Sequence, residues 1–191
     1  MINGWKKQQR ENLEDMYDVR PFSVQTITME RIFVDKLFAA EAYVRKSAEK
    51  SRAFEAAKHI YDLAVMSKLL KIQKLMMDQE QLKHLLSIRM TEELDRHDGI
   101  PGVIPSEFVF FEDAGNNPHV ISAYETMQRQ YVLRECDRIP YENALNALKN
   151  IKHALEKNNA WNKAVVPNQA ETESIRQGKI MDGAETKGRS R

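Results

Sequence analysis

A single cysteine, Cys136, stands among 191 residues. No internal disulfide can form, which fits a reducing cytosol. Net charge is nearly absent as well, because 29 Lys and Arg face 28 Asp and Glu to leave +1. That balance excludes a global field able to draw in nucleic acid or an anionic membrane, so any nucleotide or RNA site must be local. No apolar stretch reaches the roughly 18 residues that suggest a membrane span. The opening run Met1-Ile2-Asn3-Gly4-Trp5-Lys6-Lys7 continues as polar sequence through Glu14 and lacks the apolar centre of a signal peptide. Together these absences predict a soluble, cytoplasmic protein that makes no use of a membrane.

What remains is an ordinary globular composition, 42% hydrophobic and 30% charged, long enough for one domain with an apolar core. Residues 1–19 form a polar segment with sparse apolar positions. Arg20 to Thr28 alternates Phe22, Val24 and Thr26 with polar neighbours and is rich in β-branched residues, which predicts a strand. Helical spacing begins at Met29 and lasts to about Arg45, on Ile32, Phe33, Leu37, Ala40 and Val44, with Thr28 as N-cap and Glu30 in the first turn. Further helices are expected at about 52–70, 73–94, 118–134 and 140–158.

Gly99, Pro101, Gly102 and Pro105 break the pattern over 95–106, and Gly-Asn-Asn-Pro marks a second loop at 113–118. Between them Phe108–Phe111 is a short apolar run, either a strand or an extended crossing segment. From Lys163 onward no apolar period remains. The expected fold is mainly α, a bundle-like domain of about five helices over residues 20–159 with one or two short strands, followed by a disordered tail over 160–191. A strand at 20–28 has only the 107–111 run to pair with. Otherwise it must join a sheet supplied by another segment.

Two constellations carry chemistry. Arg31-Ile32-Phe33-Val34-Asp35-Lys36 lies on the first helix, and Lys58-His59-Ile60-Tyr61-Asp62-Leu63 on the second. Lys36 and Asp62 each sit at the border of an apolar face. If the two helices pack antiparallel, as a short connection favours, the ammonium and the carboxylate meet across one cleft, with His59 one turn before Asp62 on the same side. Periodicity alone reads such a pair as a structural clamp that fixes helix register.

The order of these pieces resembles the C-terminal half of nucleotidyltransferases of the AbiEii/AbiGii toxin family. That family typically shows an extended segment, an Arg-Thr-Phe-x-Glu-Lys-like helix, an Arg-His-x-Tyr-Asp-Leu-like helix, an aromatic segment and a Tyr-x-x-Met helix. Here these correspond to residues 20–28, Arg31 to Lys36, Lys58 to Leu63, Phe108–Phe111 and Tyr124-Glu125-Thr126-Met127. The resemblance covers about residues 20–155, and its specificity comes from the order of four individually weak motifs.

The resemblance implies that Lys36 faces a nucleoside triphosphate, offsetting phosphate charge. It puts Asp62 in the same catalytic cleft, to orient Lys36 or to assist the acceptor hydroxyl. Arg31 and His59 join Lys36 as candidate nucleotide-binding residues. Asp35 stands where the family usually has glutamate, and Lys58 where arginine is frequent. Lys58 cannot supply a bidentate guanidinium contact.

The family further implies an NTP donor with Mg2+, an RNA acceptor such as tRNA, a cognate antitoxin, and a part in toxin–antitoxin or phage abortive-infection systems. Its Gly-Ser turn and Asp-x-Asp pair, which hold the metal ions, occur nowhere in these 191 residues. The expectation is therefore a truncated C-terminal part, inactive alone, that transfers nucleotides only when a complementing N-terminal half is present. The competing reading is a non-enzymatic helical interaction module or an inactive fragment.

Other signals are less specific. Asp95-Arg96-His97-Asp98, with His84 and His119 elsewhere, has metal-type residues without a ligand spacing and reads as a solvated turn, so no metal site is assigned. Most of the nine methionines fall at core spacing. Lys68, Lys71 and Lys74 make a basic stripe, a solvated face or a contact for a phosphate backbone.

Overall fold

A computed structural model describes residues 26–168 and 170–175. The fold is mainly α. Helix α1 spans Met29–Arg45, where Thr28 Oγ1 accepts from the backbone N–H of Arg31 at 3.2 Å and Glu30 lies in the first turn. The turn 46–49 leads to α2, Lys50–Met66. The pairs Tyr43–His59 and Lys36–Asp62 advance in opposite directions along the two helices, so α1 and α2 form an antiparallel hairpin. α2 also packs against the later helices and is the central element. Its Ala53, Ala56, Ala57 and Ala64 are buried, small side chains that let neighbouring helices approach closely, with Ile60 and Leu63 filling the remaining core.

The helix expected at 73–94 is two helices, α3 Leu70–Met77 and α4 Gln79–Asp95. Asp78 divides them. Its backbone is extended (φ −83°, ψ 104°), and its carboxylate accepts from the N–H of Gln81 at 2.9 Å, starting a new helix instead of continuing the old one.

The chain then crosses the 96–104 loop. Gly99 is required there because a Cβ would lie 2.5 Å from Glu93 Oε2 and 3.0 Å from the Glu93 carbonyl oxygen. A 3-10 turn at Pro105–Glu107 precedes α5, Phe110–Asn116, and α6 is Pro118–Tyr131. Asn117 caps α6, accepting from the N–H groups of His119 and Val120 at 3.1 and 3.2 Å. A second 3-10 turn, Glu135–Asp137, leads to α7, Tyr141–Glu156, and a short α8, Asn159–Asn162.

No strand occurs among the described residues, which corrects the expectation for the 107–111 run. Glu41, fully buried on α1, accepts from the N–H of Val109 at 3.1 Å and of Phe110 at 2.9 Å, so it caps α5 from another helix. Phe108 packs edge-on against Phe38 and Trp161, with ring centroids 5.0 and 5.5 Å apart. Burial of the aromatic rings and a cap reached through space override local β preference. Of the expected 20–28 strand, residues 26–28 are not a strand, while 20–25 lie outside the described residues, as do the segment 1–19 and residues 176–191. Packing runs past position 159. Ala160 and Trp161 are buried, and 170–175 is helical. No described helix is long and apolar enough to cross a membrane.

Candidate functional site

The α1–α2 hairpin brings Lys36 Nζ within 2.6 Å of Asp62 Oδ2. Both side chains are about one-third exposed (28% and 38%), so the pair opens to solvent instead of sitting in the core. An ion pair of that exposure contributes about 0–1 kcal/mol to stability. It is a weak clamp, yet its ammonium still has donors to offer, since lysine carries three N–H bonds and Asp62 occupies one.

His59 stacks on Tyr43, with ring centroids 5.4 Å apart and planes at 23°. Its Nδ1 is buried and meets no hydrogen-bond partner among the described residues. Burial, reinforced by the nearby positive charges of Lys36, Lys58 and Arg96, pulls the imidazole down to about 3. His59 is therefore a neutral ring at physiological pH, and a poor counter-charge for phosphate. It forms an uncharged wall beside Lys36.

Arg31 points elsewhere. Its Nε donates to Asp35 at 3.0 Å, and its Nη2 is paired with Glu92 on α4. Asp35 also receives Arg89 at 3.3 Å, and Arg89, nearly fully buried, is paired with Glu93 and lies over the Phe38 ring. Burial pulls the Arg89 guanidinium below its ordinary value, opposed mainly by Glu93 and then Asp35. These five residues form one α1–α4 network that fixes the back of α1.

Of the four sequence-derived candidates, Lys36, Asp62 and His59 come together, whereas Arg31 is engaged by two carboxylates. Lys58 pairs with Glu55 at 3.0 Å and lies 5.1 Å above the Tyr131 ring. Its ammonium is held above the ordinary lysine value, first by the hydrogen bond to Glu55.

A family model described as "Nucleotidyl transferase AbiEii toxin, Type IV TA system" matches residues 6–157. The chain belongs to the AbiEii nucleotidyltransferase toxin family. No curated protein and no solved structure matches it.

In this AbiEii-family chain the motif positions divide by role. Tyr124 and Met127 of the Tyr-x-x-Met segment are buried, with the Tyr124 ring 4.7 Å from that of Tyr141, and they serve packing. Asp35, in the usual glutamate position, holds arginines on two sides. Only the Lys36–Asp62 pair faces outward with a charge to offer. Sequence reasoning missed Tyr43 as the partner of His59, although its spacing from Lys36, seven residues on the same helix, places it two turns along one face.

Among the described residues no three His, Cys, Asp or Glu side chains come together as metal ligands. The carboxylates nearest Lys36 in sequence are held by arginines. Asp98 of the 95–98 turn faces Arg52 at 3.3 Å and Lys46 at 3.9 Å, and Arg52 lowers its carboxyl below the ordinary range. The described residues therefore do not fit the Mg2+ that the family implies.

Proposed function

We propose that this chain supplies the nucleotide-facing helical part of an AbiEii-type nucleotidyltransferase toxin, and that Lys36 is the residue that meets the triphosphate. The observation that carries the reading is the solvent-facing 2.6 Å contact between Lys36 and Asp62. Asp62 holds the ammonium in one place when no nucleotide is bound. In the complex Lys36 keeps one N–H on Asp62 and directs the others at phosphate oxygens. As the acceptor oxygen bonds to the α-phosphorus and pyrophosphate departs, charge builds on those oxygens, and a fixed ammonium offsets it. His59, neutral and stacked on Tyr43, shields one side of the site from water and leaves the positive charge at Lys36 uncompensated by a base.

The acceptor in this reading is RNA, plausibly a tRNA, and an antitoxin opposes the activity within a toxin–antitoxin or abortive-infection system. The chemistry further requires a Gly-Ser…Asp-x-Asp segment, absent from these 191 residues, and we take that segment to act together with this chain.

Titration calorimetry with each of the four NTPs tests the binding step. Loss of one charge-assisted contact of about 1.5–3 kcal/mol predicts roughly 10- to 150-fold weaker binding for Lys36→Ala. Asp62→Asn should weaken binding less, because the ammonium remains. Equal NTP affinity in wild type and Lys36→Ala, with binding detected in both, contradicts the assignment.

A further inference from the structure

The basic stripe of α3 finds its partners in the folded chain. Lys68 lines a groove of about 560 Å³ together with Arg134 and Arg138, and the groove begins at Tyr61, the residue before Asp62. A second groove of about 550 Å³ shares Lys68, Asn143 and Ala147 with the first and continues along α7 past Asn146 and Asn150. The two make one continuous track leading away from the Lys36–Asp62 pair.

Its chemistry is uneven in sign. Three cations line it against one acid, Asp137, which Arg134 already holds at 2.7 Å. Lys68 is exposed and has no ion pair among the described residues. Arg138 shares one terminal nitrogen with Glu135 at 3.4 Å, while its buried Nε meets no acceptor. The three asparagines recur at positions 143, 146 and 150, three and four residues apart, which puts them on one exposed helix face. No hydrogen bond among the described residues engages their side chains.

We propose that this track binds a single-stranded nucleic acid, with Lys68, Arg134 and Arg138 on its phosphates and the Asn143, Asn146 and Asn150 amides on its sugars and base edges. Cations fix a phosphate backbone in register, and amides serve base edges because each offers both donors and an acceptor. An acidic polypeptide would use the donors alone and leave the amide carbonyls unmatched. The track's origin beside Asp62 brings the bound strand to the proposed transfer site. That the strand is the acceptor rests on the nucleotidyl-transfer reading; that the track holds it does not.

Fluorescence anisotropy with a labelled mixed-sequence single-stranded RNA, titrated against KCl, tests the track. Each neutralised phosphate contributes about −0.7 to the slope of log K against log[salt], so three cations predict a slope of about −2. Lys68→Ala and Arg134→Ala, both at exposed positions, should each reduce that slope by about 0.7, while Asn146→Ala weakens binding at unchanged slope. Lys149→Ala, outside the track, and Lys36→Ala should leave RNA binding as it was. The Lys36 variant thus separates the two ideas, since a failed track leaves NTP binding untouched. Absence of RNA binding by the wild type at low salt overturns the proposal, as does a slope indifferent to Lys68→Ala and Arg134→Ala. Displacement of the RNA by polyglutamate at matched charge does so too, assigning the surface to an acidic protein.

Discussion

Glu41→Ala should be the most costly single change on α1 outside the apolar core. The carboxylate is fully buried and satisfies three donors: the N–H groups of Val109 at 3.1 Å and Phe110 at 2.9 Å, and Arg45 Nε at 2.6 Å. Truncation leaves two backbone donors at the start of α5 without an acceptor and a guanidinium without its partner. Removing one member of a buried hydrogen-bonded charge pair costs about 3–5 kcal/mol. A domain of this size has about 5–15 kcal/mol in total. The midpoint of thermal unfolding should fall by about 6–20 °C. Glu41→Gln keeps one oxygen for a backbone N–H but turns an amide donor toward the other, so it should lose roughly half as much. Urea denaturation followed by far-UV circular dichroism measures both variants. The reasoning fails if Glu41→Ala lies within about 1 kcal/mol of wild type, or if Gln is as stable as Glu.

Acid should destabilise the protein through His59. Its folded value near 3 lies below the unfolded 6.5, so the unfolded state takes up the proton first; the contribution is complete above pH 6.5 and is lost as pH falls toward 3. The limiting slope is about 1.4 kcal/mol per pH unit, so wild type should lose about 2 kcal/mol between pH 6.5 and 5 relative to His59→Leu, and parallel curves for the two proteins would refute it. Gly99→Ala must push a Cβ against Glu93, whose carboxylate is fixed by Arg89 and by the N–H of Ile100 at 2.6 Å. We expect a loss of about 1–3 kcal/mol in urea titration, and an unchanged midpoint would show that the 96–104 loop shifts freely.

Elements whose determinants are local could be read from the chain. α1 has its apolar period, the Thr28 cap and Glu30 within a few residues of one another, and the antiparallel meeting of Lys36 with Asp62 follows from a short connection and helical spacing. The misreadings came from partners distant in sequence. Phe108–Phe111 carries strand-like residues, but Glu41 and Trp161, from opposite ends of the domain, make it the start of a helix. Arg89 and Glu93, spaced as an ordinary exposed pair, are buried because Asp35 and Phe38 cover them. Asp78 is compatible with a continuing helix, and only its side-chain cap on Gln81 divides α3 from α4. At the site, the motif named Arg31 as readily as Lys36. The carboxylate of Glu92, sixty-one residues away, engages Arg31 and leaves Lys36 as the outward cation.

The central claim concerns the function of one ammonium, and label transfer tests it most directly. The chain is combined with a separately produced AbiEii-family segment that carries Gly-Ser and Asp-x-Asp, a radiolabelled NTP and RNA, and the labelled RNA is quantified on a gel. With unfolding midpoints matched to within the 0–1 kcal/mol expected of so exposed a pair, Lys36→Ala should slow transfer by about 10²–10³-fold. Undiminished transfer by Lys36→Ala would contradict the account.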